Sequence, residues 1–120
     1  MPNHSFLLYV EDPLKSAAFY EKLLRAPPVE VSPGFAMFAL TAPTMLGLWK
    51  RADVLPKVTA PTGCNELGFQ VESKDEVDQF FAVSEKLGVT VLQKPTTMDF
   101  GYTFTIADPD GNRLRMFAPS

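Results

Sequence analysis

The chain has 120 residues, of which 46% are hydrophobic, and this composition predicts a globular domain rather than a disordered segment. Its 14 acidic and 11 basic side chains are mixed along the sequence and give a net charge of −3. Without a basic run, the sequence predicts no nucleic-acid partner, and without an apolar stretch of ~18 residues it predicts no membrane partner. The lone cysteine, Cys64, cannot form an internal disulfide, and no signal-peptide pattern is visible, so we expect a cytoplasmic protein.

The first half of the chain predicts a strand, a helix and then three strands. Residues 5–10 are a β-rich run, and Asp12-Pro13 is a helix start, because Asp12 can cap and Pro13 suits the first helical position. An apolar stripe at helical spacing predicts the buried side of this helix. The stripe consists of Leu14, Ala17, Ala18, Tyr20, Leu23 and Leu24. Further strands are predicted at 29–31, 35–40 and 45–50, and residues 53–63 are predicted to be a linker.

The second half repeats this order. A strand is predicted at 66–71, followed by the capping box that starts at Ser73 and ends at Glu76. Apolar residues at helical spacing then predict a helix, and Gly88 is placed to end it with a positive φ. Strands are predicted at 89–93, 102–107 and 112–117, with the turn sequence Asp108-Pro109-Asp110-Gly111 joining the last two into a hairpin.

This internal repetition predicts the fold class, which is α+β with two βαβββ modules. We place the first module at about residues 4–52 and the second at about 64–118, within one domain that spans residues 1–120. A crossover helix packs on one face of each module, so the other face is left open. The prediction is therefore a curved mixed sheet around a cup that holds a small organic molecule.

The runs YVEDPLKSAAFYEKLL and FTIADPDGNRLRMF resemble the vicinal oxygen chelate superfamily, which includes glyoxalase I, extradiol dioxygenases, and fosfomycin and bleomycin resistance proteins. The resemblance covers nearly the whole chain. The chain is more narrowly similar to a subgroup of metal-free antibiotic-binding resistance proteins. The runs that carry this similarity are PPVEVSPGFAMFAL, LGLWKR, NELGFQVESKDEVDQFF and FGYTFTIADPDGNRLRMF. That subgroup includes a phenazine-antibiotic resistance protein. The resemblance therefore implies a binding protein for a flat aromatic acid.

The resemblance also locates the positions where metal-using relatives carry their ligands. These positions hold Ser5, Gly47, Glu66 and Arg115 in this chain, and His4 is one residue out of register. A divalent metal needs three or more converging imidazole or carboxylate ligands. One of the four positions carries such a group and another carries a cation, so the sequence predicts no metal site and no cofactor.

Strand parity assigns further residues to the predicted cup, because side chains an even number of positions apart share a face. The residues of the other parity are all apolar, as expected beneath the helices. They are Leu46, Leu48, Leu67, Phe69, Val71, Leu114 and Met116. We predict a bidentate Glu66–Arg115 pair, which either simply bridges the two halves or also presents Arg115 to a ligand carboxylate. Trp49 is predicted to stack on the ligand, and Gly47 to leave space beside it. The predicted ligand-binding residues are Trp49, Arg115, Glu66, Gly47, Tyr9, Gln70, Phe100, Tyr102 and Phe117.

These residues predict a protein that sequesters a small planar aromatic compound, with no catalytic residue assigned. Two alternatives remain open at this point: a metal-dependent glyoxalase- or dioxygenase-type enzyme, and a metal-free enzyme that uses Glu66 as a base. The resemblance further implies a homodimer. Cys64 is expected to be an inert, buried or half-buried thiol, because no histidine stands near it in the sequence.

Overall fold

The computed structural model describes residues 4–120, and the chain divides into two compact units at Pro61 and Thr62. The first unit contains β1 (Ser5–Val10), α1 (Pro13–Leu24), β2 (Glu30–Val31), β3 (Phe35–Ala39) and β4 (Met45–Lys50). The second contains β5 (Glu66–Gln70), α2 (Lys74–Lys86), β6 (Thr90–Met98), β7 (Gly101–Ala107) and β8 (Arg113–Pro119). The α+β class and the two βαβββ modules are confirmed; that the modules form a single domain stays a prediction.

Both modules have the same sheet topology. The strand order is β1-β4-β3-β2 in the first sheet and β5-β8-β7-β6 in the second. In each sheet the first and last strands of the module pair in parallel, and the other neighbours pair antiparallel. The helix that follows the first strand provides the crossover that such a parallel pair requires.

Helix α1 begins where the sequence predicts. The Asp12 carboxylate accepts hydrogen bonds from the backbone N–H groups of Leu14 and Lys15, and Pro13 occupies the first helical position. The predicted apolar stripe is wrong in part, because Leu14 is 49% exposed and Ala18 is exposed. The buried residues are Pro13, Ser16, Ala17, Tyr20 and Leu23. These positions follow one line along the helix, and Leu14 and Ala18 each lie one position, or about 100°, off it.

Helix α2 confirms the predicted cap. The Ser73 hydroxyl accepts a hydrogen bond from Glu76 N at 3.2 Å, and Gly88 has a φ of +69° just after the helix. Val77 and Ser84 are fully buried, and Phe81 contacts Phe104 of β7 edge-on, with ring centroids 5.3 Å apart. The helix therefore packs on the face of the second sheet that carries Phe104.

Strand β6 is longer than the sequence predicts and continues to Met98. Irregular pairing between Val91 and Gln93, and again between Gln93 and Thr96, lets the strand carry Pro95 while it remains paired to β7. The strand predicted at 89–93 is therefore too short, and the strand predicted at 102–107 begins one residue earlier, at Gly101.

Each module has its own core between helix and sheet. In the first, Tyr20 of α1 contacts Phe38 of β3, and Leu46 and Leu48 are fully buried on that side. In the second, the fully or nearly fully buried residues are Val77, Phe104, Ile106, Leu114 and Met116. Neither helix in the described part of the chain is long and apolar enough to span a membrane.

Candidate functional site

The sheet face opposite α1 carries the site residues predicted in the first module. Register pairs Tyr9 with Trp49, Leu7 with Gly47, and Phe35 of β3 with Trp49, so these side chains share one face. We call it the aromatic face; it consists of Ser5, Leu7, Tyr9, Phe35, Met37, Met45, Gly47 and Trp49. Phe38 lies on the opposite face against α1.

Tyr9 and Trp49 are both accessible on the aromatic face. Their ring centroids are 6.4 Å apart at an interplanar angle of 76°, an edge-to-face contact that fixes the indole plane. Tyr9 is 36% exposed and Trp49 is half-buried. The indole is therefore held by neighbours and still presents surface on which a planar ring can stack.

The expectation that Gly47 leaves room for a ligand is wrong within this module. A Cβ atom at Gly47 would lie 2.5 Å from Leu7 Cδ2 and 3.1 Å from Phe35 Cζ. Two apolar side chains of the same face fill the space that the missing side chain leaves, so Gly47 is buried and serves packing.

The second module carries a polar counterpart, which we call the arginine face. It lies opposite α2, because Arg115 and Phe117 alternate with Leu114 and Met116, which are buried beneath the helix. The arginine face consists of Glu66, Gln70, Gln93, Thr103, Thr105, Arg113, Arg115 and Phe117.

The predicted pair between Glu66 and Arg115 is confirmed. Arg115 Nε donates to Glu66 Oε1 at 2.8 Å, and Nη2 donates to Oε2 at 3.4 Å, which is bidentate geometry. The interpretation of the pair as a bridge between the two halves is wrong. Both residues belong to the second module, where the pair joins β5 to β8 diagonally, with Glu66 two residues from Gly68, the residue directly opposite Arg115.

Sequence reasoning missed three residues that complete the surroundings of Arg115. Its Nη1 donates to Gln93 Oε1 at 3.1 Å and to Thr103 Oγ1 at 3.3 Å, and Thr105 Oγ1 donates to the same Gln93 oxygen at 3.3 Å. The predicted hairpin contained a usable signal for the threonines, because its register places Thr105 directly opposite Arg115. Gln93 follows an irregularity in β6 that the sequence does not reveal.

Aromatic residues border Arg115 on its other side. Phe100, in the turn between β6 and β7, is 45% exposed, and the Arg115 guanidinium carbon lies 5.7 Å from its ring centroid. Phe100 also contacts Phe117 edge-on at 6.0 Å, and Gln70 lies opposite Phe117 in the β5–β8 register. Phe100, Phe117 and Gln70 therefore have the surroundings that a ligand-binding role requires, and that role stays a prediction.

Tyr102 does not belong to this face. It alternates with Thr103 in β7, and its hydroxyl donates to Asp78 Oδ1 of α2 at 2.7 Å, with Lys74 5.8 Å from its ring centroid. The hydrogen bond to Asp78, with smaller contributions from desolvation and from the carboxylate charge, raises the pKa of Tyr102 above its ordinary value of 10.0. Its prediction as a ligand-binding residue is wrong for the arginine face, because alternation along β7 puts Tyr102 on the side opposite to Thr103 and Thr105.

The donor set of the described residues does not fit a resident divalent metal. Within residues 4–120, no three His, Cys, Asp or Glu side chains cluster in a metal-binding arrangement. Cys64 is exposed, contrary to the expectation of a buried thiol, since it lies ahead of β5 in an open segment.

The architecture and the open sheet faces define a class that sequence comparison also identifies. Residues 3–116 match the model of the glyoxalase/bleomycin resistance protein/dioxygenase superfamily, and the chain belongs to this family. It is 28% identical over 113 residues to the phenazine antibiotic resistance protein EhpR of Enterobacter agglomerans, covering 92% of this chain and 86% of that protein.

Two further similarities bear on fold and function. The chain is 35% identical over 106 residues to a probable trivalent organoarsenical cleaving enzyme of Bacillus subtilis strain 168, covering 86% of this chain and 70% of that protein. It is also similar to the solution structure of protein ATC0852 from Agrobacterium tumefaciens, with 47% identity, a TM-score of 0.86, and coverage of 97% and 95% of the two chains. The relatives thus include both a resistance protein and a protein named as an enzyme.

Proposed function

We propose that this protein binds and sequesters a small planar aromatic compound without transforming it, as a resistance-type binding protein. The observation that carries the proposal is the half-buried Trp49, whose indole contacts Tyr9 edge-to-face on the aromatic face. A fixed indole loses little conformational freedom when a flat ring stacks on it, so more of the stacking energy contributes to affinity. Similarity to a phenazine antibiotic resistance protein supports the same class of ligand.

The polar groups of the arginine face support recognition of a ligand with a polar edge. Arg115 is positioned by Glu66, Gln93 and Thr103 and lies beside the Phe100 ring, an arrangement that favours a flat, polar-edged molecule. We assign no cofactor to this binding. Glu66 is a poor general base in this arrangement, because both of its carboxylate oxygens accept hydrogen bonds from Arg115.

A metal-dependent enzyme is the second candidate, favoured by the 35% identity to a probable organoarsenical cleaving enzyme. The scarcity of imidazole and carboxylate donors on the described faces argues against it. Metal analysis of the purified protein separates the candidates, since a stoichiometric transition metal would support the enzyme and contradict the binding protein.

The test of the leading proposal uses Trp49, the single tryptophan, as its own reporter. We expect phenazine-1-carboxylate to quench Trp49 fluorescence, and calorimetry to show that Trp49→Ala weakens binding about tenfold, as loss of an aromatic stack plus its buried area implies. Phe6→Ala is the matched control, since Phe6 is a half-exposed aromatic on the opposite face of β1.

Phe6→Ala should bind like the unmodified protein, while the Trp49 variant retains its circular dichroism spectrum. Absence of both quenching and calorimetric heat across a panel of planar aromatic acids would sink the proposal, as would equal losses in the two variants.

We further propose that the chain acts as a homodimer in the cytoplasm. Exposed apolar side chains support the dimer, among them Val29 and Val31, which are 60% and 49% exposed at and beside edge strand β2. An exposed free thiol at Cys64 fits a reducing compartment.

A further inference from the structure

Strand β8 presents two arginines on one sheet face. Arg113 and Arg115 are two residues apart in a regular strand, so their side chains project to the same side. Two like charges at this spacing are unfavourable unless other groups compensate them. The ligand that this face can bind therefore depends on which guanidinium bonds to the nearby acceptor groups and which is left without one.

Nearby hydrogen-bond acceptors bond to Arg115. Its Nε and Nη2 engage both oxygens of Glu66, and its Nη1 engages Gln93 and Thr103, so all three guanidinium nitrogens have partners within the second module. The Arg115 side chain is 18% exposed, and that of Glu66 is 41% exposed. The Arg115 side chain is thus fixed by hydrogen bonds, and both oxygens of the Glu66 carboxylate already bond to it.

Arg113 is left without such a partner. It lies directly opposite Glu66 in the β5–β8 register, yet the Glu66 oxygens bond to Arg115 instead. Within the part of the chain that the structure describes, the Arg113 side chain takes part in no hydrogen bond or ion pair, and the residue is exposed. An unpaired guanidinium has five N–H donors and no acceptor, so an anion is its natural complement.

Two open surface pockets meet at Arg113. One, of about 300 Å³, is lined by Leu92, Gln93, Thr105, Arg113 and Arg115. The other, of about 410 Å³, is lined by Gly63, Cys64, Asn65, Glu66 and Arg113. The first is the better anion site, because both guanidiniums line it and no carboxylate does, whereas Glu66 lines the second.

We infer that Arg113 and Arg115 form a carboxylate-binding subsite, in which Arg113 grips the anionic group and Arg115 is the positioned partner. A carboxylate matches the planar fork of a guanidinium in a way that a neutral amide does not. Leu92 offers an apolar wall for the carbon skeleton next to that group. The inference rests on the proposed function and sharpens it: the aromatic ligand carries a carboxylate.

The experiment compares phenazine-1-carboxylate with phenazine-1-carboxamide, which share the ring system and differ in charge. By calorimetry on the full chain, we expect the carboxylate to bind roughly tenfold more tightly, since a charge-assisted bond at a partly exposed site is worth a fraction of its buried value. Arg113→Gln should abolish that difference by weakening carboxylate binding alone. Arg25→Gln is the matched control, because it removes the same charge from the exposed end of α1.

A second variant should change the affinity for the carboxylate in the opposite direction. Glu66→Gln removes the carboxylate that pairs with Arg115, so the face becomes more positive and phenazine-1-carboxylate should bind more tightly, with no change for the amide. A merely structural role for Glu66 would weaken both ligands. Equal affinities of acid and amide in the unmodified protein, or a preference that survives Arg113→Gln, would overturn the inference while leaving aromatic binding intact.

If neither phenazine binds, benzoate and benzamide at millimolar concentration test the subsite alone, with the Arg113 Nε–Hε signal followed by nuclear magnetic resonance. A shift with benzoate and none with benzamide supports the subsite without the aromatic proposal. No shift with either contradicts the inference.

Discussion

At the scale of single residues, Tyr102 shows how one hydrogen bond ties a helix to a sheet. Its phenol donates to Asp78 Oδ1 at 2.7 Å, which links β7 to α2 on the core side of the second module. The bond requires the proton on the phenol, so it favours the neutral form and raises the pKa of Tyr102.

The sign of the resulting pH dependence follows. Because the pKa of Tyr102 is higher in the folded than in the unfolded chain, its contribution to stability is complete below pH 10 and is lost as the pH rises through the folded pKa. We expect ultraviolet titration to show one of the three tyrosines ionising above its ordinary range. Asp78→Asn should return that tyrosine toward pH 10, and Tyr102→Phe should remove the transition; a transition that survives Tyr102→Phe belongs to another residue.

The same residue marks the limit of prediction from sequence. Strand parity correctly places Glu66, Arg115 and Phe117 on one face. In those strands the residues of opposite parity are all apolar, so the face that packs beneath the helix can be identified from the sequence. The prediction for Tyr102 rests on its place beside Gly101 and not on parity, and alternation with Thr103 in β7 puts Tyr102 on the α2 side instead.

At the scale of elements, the β6–β7 connection depends on Gly101. This residue has a φ of +148°, and a Cβ atom there would collide with the Ala118 carbonyl oxygen and lie 2.9 Å from Pro119 Cα of the neighbouring strand β8. Backbone atoms cannot move aside as a flexible side chain can. The glycine therefore permits β7 to pair with β8 up to the end of the sheet, where Phe100 borders Arg115.

Gly101→Ala should destabilise the protein by about 2–4 kcal/mol, because it combines backbone strain with a collision that must displace β8. Urea unfolding followed by circular dichroism measures this cost. Gly111→Ala is the matched control, since Gly111 also has a positive φ, of +87°, but a Cβ atom there meets nothing within 4 Å. It should cost about 1 kcal/mol from strain alone. Equal losses in the two variants would show that the close approach of β8 to Gly101 contributes nothing.

The elements that the sequence predicted well are those with local signals. Asp12 and Ser73 cap their helices as predicted, and Asp108 forms the hairpin turn by accepting hydrogen bonds from Asp110 N and Asn112 N. The extent of β6 could not be predicted, because Pro95 looks like a strand terminator until its partner strand is known.

At the scale of the whole molecule, internal repetition was enough to predict two βαβββ modules, and each module forms the predicted sheet. What repetition could not predict is how differently the two open faces are used. The aromatic face packs apolar side chains around Gly47, whereas the arginine face carries a hydrogen-bonded network around Arg115. The two copies keep one backbone plan, and their chemistry has diverged side chain by side chain.

The proposed dimer gives a prediction at this scale. In the first sheet β2 is an edge strand of two residues, and Val31 on it is 49% exposed, with Val29 60% exposed just before it. An apolar edge invites pairing with another chain, and a charge placed there opposes such pairing. Light scattering should give a mass twice the 13.3 kDa of one chain, and Val31→Lys should shift it toward the monomer. Thr97→Lys, on edge strand β6 of the other module, is the control that should leave the mass unchanged. A monomeric mass for the unmodified protein at micromolar concentration would contradict the dimer, and a dimer unaffected by Val31→Lys would place its interface away from β2.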